Sequence, residues 1–256
     1  MKRVNLIPMA GLGQRFTDAG YKVPKPLIDI GGRFMIDRAA SSLPPAEYWV
    51  FICRKEHEDR AAISSKLKKQ YPAAEVLILD HFTQGQASTC MLAEPFLDED
   101  DCVSIGACDN AMIYQDESWE RQISDTDILV WTFRNNPAVL QKPQMYSWAA
   151  QSEEFISRIA VKQPLSNNPM RDHALIGAFT FKKAGDFLRC GRKMHRENRK
   201  VNGEYYIDEL VNVGIEIGLR AKVFEVDYYI GWGTPQDLET YYYWENSLKH
   251  FLGKGE

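Results

Sequence analysis

Val4-Asn5-Leu6-Ile7-Pro8-Met9 leads directly into Ala10-Gly11-Leu12-Gly13-Gln14-Arg15-Phe16, and Pro24-Lys25-Pro26-Leu27 completes the segment. The first six residues have the composition of a buried strand. A strand ending here aims the following loop at the carboxyl edge of a sheet, where open α/β folds bind ligands. The loop carries two glycines, an arginine and a lysine, which together suit a polyphosphate. Glycine lets backbone N–H groups approach phosphate oxygens with no Cβ in the way. Arginine supplies a forked cation and lysine a mobile point charge.

Two commoner glycine motifs fail. The dinucleotide fingerprint needs a third glycine three residues after the second, and Phe16 stands there. The Walker A loop ends in Gly-Lys-Ser or Gly-Lys-Thr, and neither triplet occurs in the chain. The competing reading is an ordinary strand-to-helix loop turned by two glycines. Arg15 and the Pro-Lys-Pro-Leu segment count against it.

Tyr48 to Cys53, Glu75 to Leu79 and Cys102 to Gly106 read as further buried strands. Between them lie a charged helix from Lys55 to Gln70, with Ala61, Ile63 and Leu67 at helical spacing, and a helix from Gln86 to Glu94. This alternation predicts an α/β fold: a mostly parallel, Rossmann-like central sheet with helices on both faces, in three layers. Farther on, Asp127 to Phe133, Phe155 to Val161, Leu175 to Phe181 and Ala221 to Tyr229 read as strands. Lys182 to Asn198, Tyr205 to Ile217 and Gln236 to Phe251 read as helices. No linker or repeat interrupts the chain. One domain over 1–256 is expected, with halves at 1–125 and 126–256.

A length of 256 residues leaves room for a full core. The net charge of −4 argues against a general nucleic-acid binder, which usually shows a basic face. No apolar run is long enough to span a membrane, so neither nucleic acid nor membrane is an expected partner. Met1-Lys2-Arg3 is basic, but polar Asn5 and the glycine loop follow at once, which is not a secretory signal. Five cysteines without Cys-x-x-Cys spacing point to a reducing, cytoplasmic setting. The cluster Tyr241-Tyr242-Tyr243-Trp244 suits packing or a subunit contact, which makes a homodimer the expected assembly.

The segment at residues 11–27 resembles the opening of the sugar nucleotidyltransferases, also called nucleoside-diphosphate-sugar pyrophosphorylases: a Gly-x-Gly-x-Arg loop, then Pro-Lys-Pro-Leu. The resemblance extends along most of the chain. Thr83-Gln84-Gly85-Gln86-Ala87-Ser88 resembles the family's base-binding turn, and Cys108-Asp109-Asn110 its metal-binding strand end. Ala174 to Phe179 resembles the acceptor-lining strand. Gly203-Glu204-Tyr205-Tyr206 and Trp232-Gly233-Thr234 to Leu238 resemble the last two signatures. The family's short forms lack a domain for acetyl transfer or a β-helix, and none is expected after Phe251.

The resemblance implies transfer of a nucleoside monophosphate from a triphosphate to a phosphorylated small molecule, a sugar 1-phosphate or a related ester, with release of pyrophosphate. Short relatives often act in capsule or surface-polysaccharide synthesis, and some use acceptors that are not sugars. The implied nucleotide-binding residues are Ala10, Gly11, Leu12, Gly13, Gln14, Gly85, Gln86 and Ala87. Arg15 and Lys25 are the implied catalytic cations, and Asp109 the ligand of a Mg²⁺ cofactor. Lys162, in a Val-Lys-Gln-Pro stretch where the family has Glu-Lys-Pro, would meet the acceptor together with Gly177 and Glu204. A surface lysine and a helix-start carboxylate are the competing readings of Lys162 and Glu204. Residues 1–125 then form the nucleotide-binding half and 126–256 the acceptor-binding half.

One departure matters. Many relatives carry a second metal-binding aspartate just before the last Gly-Thr, and Gly231 stands there. Asp208 or Asp227 could replace it in space, or one carboxylate plus phosphates could suffice. Two rival functions follow. A glycosyltransferase of similar fold would use a finished sugar nucleotide, holding its metal with an Asp-x-Asp pair. The acidic run Asp98 to Asp101 precedes a strand and reads as a solvated turn instead. A nucleotide-binding regulator without catalysis is the other rival, and Gly231 motivates it.

Overall fold

A computed structural model describes residues 2–253; Met1 and the tail at 254–256 lie outside the described residues. The chain opens with β1 (Arg3–Met9), α1 (Gln14–Asp18), β2 (Asp29–Ile30), β3 (Arg33–Phe34) and α2 (Met35–Ala40). It continues through β4 (Tyr48–Arg54), α3 (Lys55–Ala61), α4 (Ile63–Gln70), β5 (Glu75–Leu79), α5 (Gln86–Met91), β6 (Cys102–Ile105), β7 (Asn110–Ile113) and α6 (Asp116–Ser124). The second half holds β8 (Ile128–Phe133), β9 (Trp148–Ser152), β10 (Phe155–Ala160), β11 (His173–Phe181), α7 (Ala184–Arg196) and α8 (Ile207–Glu216). It closes with β12 (Ala221–Glu225), β13 (Tyr228–Gly231) and α9 (Pro235–Leu252).

The expected three-layer α/β architecture is present. Strands β5, β4, β1 and β6 lie side by side and parallel. Strand β11 then runs antiparallel between β6 and β8, and β12 pairs parallel with β8. Side chains alternate across this sheet with the strand period of two. Val4, Leu6, Val50, Ile52, Val103, Ile105, Ile128 and Val130 pack on the α5, α7 and α8 side. Ile7, Met9, Phe51, Cys53, Leu129 and Trp131 pack on the opposite side, against α2, α4 and α6. A sheet buried on both faces reads as near-continuous apolar runs, which is why these strands were legible.

Several readings of the sequence differ from the structure. The helix expected over Lys55 to Gln70 breaks at Ala62, which takes a left-handed conformation (φ 46°) between α3 and α4. The strand expected over Ala221 to Tyr229 is two strands in different sheets. Val226 N–H donates to Thr132 of β8, but Asp227 N–H donates to Ile113 of β7, so the chain changes sheets at that step. The acidic run is not a solvated turn throughout. Asp101 is 3% exposed, accepts from the Asp98 N–H at 2.9 Å and pairs with Lys2 at 3.3 Å. The two halves also interlock: β11 pairs with β6, and β13 pairs with β7, setting Gly231 opposite Asn110.

A third, smaller core joins the ends of the chain. Phe16, Ile28, Ile30 and Met35 pack with Trp232 and Leu238, and Tyr241 meets Trp232 edge-on at 5.7 Å. Burying Phe16 contributes about 1.5–3 kcal/mol and pins the start of α1. Helix α9 starts on a capping box, with Thr234 Oγ1 accepting from Asp237 N–H and the Asp237 carboxylate accepting from Thr234 N–H. Of the tyrosine cluster, Tyr242 donates to the Asp29 carbonyl at 2.6 Å, whereas Tyr243 and Trp244 face outward.

Candidate active site

A cleft of about 370 Å³ crosses the carboxyl ends of β6, β1 and β5. Its lining includes Ala10, Gly11, Gly13, Lys25, Phe82, Gly85, Gln86, Asp109 and Glu204. The glycine loop forms one wall. Gly13 adopts φ 61°, ψ 25°, and a Cβ there would lie 3.3 Å from the Lys25 Cβ. Glycine is therefore needed twice over, for the left-handed backbone and for the approach of the lysine stem. Among the described residues, the N–H groups of Gly11 to Arg15 make no backbone hydrogen bond, while Phe16 and Thr17 donate to the Gly13 carbonyl. Leu12, Gln14 and Arg15 are exposed on this loop.

Lys25 stands at the centre. Its Nζ donates to Asp109 Oδ2 at 2.5 Å and to the Gly233 carbonyl at 3.2 Å. It also lies 5.2 Å from the Phe16 ring centroid. Burial opposes the lysine's charge, but the charge and hydrogen bond of Asp109 favour it, and the balance holds its pKa above the ordinary value despite the nearby Arg15. The ammonium is thus charged at neutral pH and neutralises Asp109. Asp109 is fixed by its backbone, since its carbonyl accepts from Trp232 N–H at 2.7 Å. Beside it, burial pushes the Cys108 thiol up to about 12. A thiol held protonated is a packing group and no nucleophile.

The base-side turn is held by the second half of the chain. Tyr205 N–H donates to the Gln84 carbonyl at 2.8 Å, and Ala87 N–H donates to the Tyr205 carbonyl at 3.0 Å. Gly85 has φ 123°, and a Cβ there would sit 2.6 Å from both Tyr205 N and Tyr205 O. Its glycine is required by backbone contact with Tyr205. Ala87 is fully buried with its N–H committed, so it lies under the cleft and does not face it. Gln86 and Glu204 do face it.

Lys162 and Gly177 lie outside the cleft lining. Lys162 has φ 56° and directs Nζ to the Met145 carbonyl at 2.6 Å, 5.6 Å from the Tyr206 ring centroid. Asp208 belongs to the same group: burial raises its carboxyl to about 6, against the opposing pull of Lys162, its own backbone amide and Ser147. Gly177 (φ 87°) sits where the pairing of β11 with β8 is interrupted, with open space above it, and Asn110 donates to the adjacent Ile176 carbonyl at 3.3 Å. Sequence reasoning missed Phe82 and Tyr229. Phe82 carried no motif signal. Tyr229 is explained only by its fold: a Cβ at Gly231 would lie 2.9 Å from its hydroxyl, so its ring fills the space beside residue 231. That ring stacks on Phe133 at 4.3 Å.

The carboxylates suit a hard cation. Asp109 Oδ2 and Asp237 Oδ2 lie 3.7 and 3.6 Å from the position a Cβ on Gly233 would take, so Asp237 brings a second carboxylate to this end of the cleft. No group of three or more His, Cys, Asp or Glu converges here or anywhere else among the described residues, so the protein would supply at most two carboxylates. A sparse oxygen set of this kind fits Mg²⁺, which keeps several waters and completes its shell with phosphate oxygens.

No protein-family model matches the chain, and no curated protein matches it in sequence. Solved structures do match. The nucleoside-diphosphate-sugar pyrophosphorylase of Vibrio cholerae RC9 superposes with a TM-score of 0.75 at 22% identity, over 92% of this chain and 98% of that one. The inositol-1-phosphate CTP transferase of T. maritima gives 0.71 at 16% identity, over 92% and 91%. The UDP-glucose pyrophosphorylase of Acinetobacter baumannii gives 0.69 at 14% identity, over 94% and 92%. The chain has the fold these proteins share, along nearly its whole length.

Proposed function

We propose that this protein is a nucleotidyltransferase that moves a nucleoside monophosphate from a nucleoside triphosphate to a phosphorylated small molecule and releases pyrophosphate. One observation carries the reading: a charged lysine, bonded to Asp109 and to the Gly233 carbonyl, stands in a cleft beside a run of backbone N–H groups with no backbone acceptor. The shared fold supports it. The nucleotide transferred, the acceptor and a place in capsule or surface-polysaccharide synthesis belong to the proposal.

An acceptor phosphate is an anion at neutral pH, so its oxygen attacks the α-phosphorus without a general base. The barrier is electrostatic, and catalysis is positioning and charge neutralisation. The N–H groups of Gly11 to Gln14 hold the triphosphate. Arg15, exposed at the loop, takes the β- and γ-phosphates and stabilises the leaving pyrophosphate. Lys25 exchanges Asp109 for the α-phosphate as charge develops. Asp109, with Asp237 near it, would hold Mg²⁺, which when bound neutralises phosphate charge. Glu204, Gly177 and the Lys162–Asp208 group form the acceptor side.

A reducing cytoplasm is the compartment proposed, in keeping with five free cysteines. No helix among the described residues is long and apolar enough to cross a membrane. A homodimer through α9 is proposed from its outward Tyr243, Trp244, Leu248 and Phe251; sedimentation of native chain against Trp244→Glu tests it. The function is tested by combining each common nucleoside triphosphate with a panel of phosphorylated acceptors and Mg²⁺, and scoring pyrophosphate. Release from one pair supports transfer. Release from none, with tight triphosphate binding, selects the regulator reading, which Tyr229 beside Gly231 also favours. Turnover of a finished sugar nucleotide without pyrophosphate selects a glycosyltransferase.

A further inference from the structure

We propose that Phe82, backed by Arg54, is the platform on which the base of the bound nucleotide stacks. The inference rests on the nucleotide reading of the cleft and adds a residue to it. Phe82 lies in the loop between β5 and α5 and is 63% exposed. The cleft runs from Asp109, at the end of β6, past the glycine loop after β1, to this loop beyond β5. If the triphosphate occupies the Lys25 end, the base falls at the Phe82 end.

The ring is held by one neighbour in particular. The Arg54 guanidinium, at the carboxyl end of β4, lies 4.2 Å from the Phe82 ring centroid and covers one face. Arg54 is itself mostly buried; it pairs with Glu56 at 3.5 Å, and its Nη1 is buried without a hydrogen-bond partner. An unsatisfied buried donor is costly. Its contact with an aromatic face offsets part of that cost and fixes the ring's orientation. A cavity of about 100 Å³, lined by Arg54, Lys55, His81 and Phe82, adjoins the cleft there. The result is an exposed aromatic surface, supported from behind by a cation, at the end of a cleft whose other end is polar.

Such a surface binds a base by its π-face. Stacking is tolerant of base identity because every base has that face, and its loss on alanine substitution is worth about 5- to 150-fold in affinity. Arg54 acts through the ring and is a positioning residue. Hydrogen bonds to base edges would come from other groups, so Phe82 should matter about equally to every base.

Titration calorimetry of the native chain, Phe82→Ala, Phe82→Trp and Arg54→Met, each with the four common nucleoside triphosphates and with inorganic tripolyphosphate in Mg²⁺, tests this. Phe82→Ala is expected to weaken nucleotide binding about 10- to 100-fold and to leave tripolyphosphate within about twofold. Phe82→Trp should restore nucleotide affinity, and Arg54→Met should lose a smaller factor for nucleotides alone. Unchanged nucleotide affinity in Phe82→Ala, an equal loss for tripolyphosphate, or a loss for only one of several nucleotides that the native chain binds would overturn the platform while leaving the cleft a nucleotide site. A native chain that binds neither ligand would remove the nucleotide reading itself, and the platform with it.

Discussion

Lys25→Ala separates binding from catalysis in this cleft. In the free protein the ammonium is already satisfied, 2.5 Å from Asp109 and 3.2 Å from the Gly233 carbonyl, with 16% of the side chain exposed. A triphosphate therefore offers it a change of partner and not a first partner, so its net gain on binding is small. The gain grows only when charge builds on the transferring phosphoryl group, and interactions stronger in the transition state raise turnover. Loss of one such donor costs about 10²–10³ in kcat, or about 2.7–4 kcal/mol. Triphosphate affinity should change by no more than about threefold, because removing Lys25 also frees Asp109 to take a hydrated cation. The assay uses the productive nucleotide and acceptor pair, with kcat from pyrophosphate release and Kd from calorimetry. Lys25→Ala/Asp109→Asn isolates the pair from the unpaired carboxylate that the single change leaves. Equal losses in kcat and affinity would refute the argument, as would a variant with native turnover.

Arg15→Ala should lower turnover by a similar factor of about 10²–10³ with no change in melting temperature, since Arg15 is exposed; a lowered melting temperature would assign it a structural role. Gly85→Ala places a Cβ 2.6 Å from the Tyr205 backbone at φ 123°. The strain of about 1–3 kcal/mol should lower the melting temperature by several degrees, and a native melting temperature would contradict the contact. Asp208 carries a carboxyl raised from 3.8 to about 6 by burial. Between those pH values the unfolded chain has released a proton that the native chain still holds, so stability falls as pH rises through that window and stays reduced above it. Asp208→Asn should thus be more stable than native by up to about 3 kcal/mol at pH 7.5 and by little at pH 4; an equal difference at both pH values, read from thermal melts, would refute the titration.

Much of this was legible along the chain because it is local. Phe51 and Cys53 alternate with Val50 and Ile52 to the two faces of the sheet, and each face is apolar, so the strand announces itself. Gly13 and Arg15 lie within one turn of each other. Other features had no local signal. Ala62 is a poor residue for a left-handed break, yet it takes that conformation between α3 and α4. Ala87 belongs to a sensible motif, yet its N–H is spent on Tyr205. Asp101 looks like solvated charge until Lys2 and the Asp98 amide close on it. Phe82 looks like a stray aromatic until β4 brings Arg54 beneath it.

The residue types alone settled that this chain builds a layered α/β sheet with a glycine-rich, cationic loop at its first strand. Backbone freedom at glycine, the fixed charges of arginine and lysine, and the period of apolar residues are properties of each short segment and travel with it into any fold. Which groups those cations meet was decided only in three dimensions. Lys25 finds Asp109 across 84 positions and Gly233 across 208. Those meetings follow from β6 lying beside β1 and from β13 returning to pair with β7, an order of strands set by the packing of the whole chain.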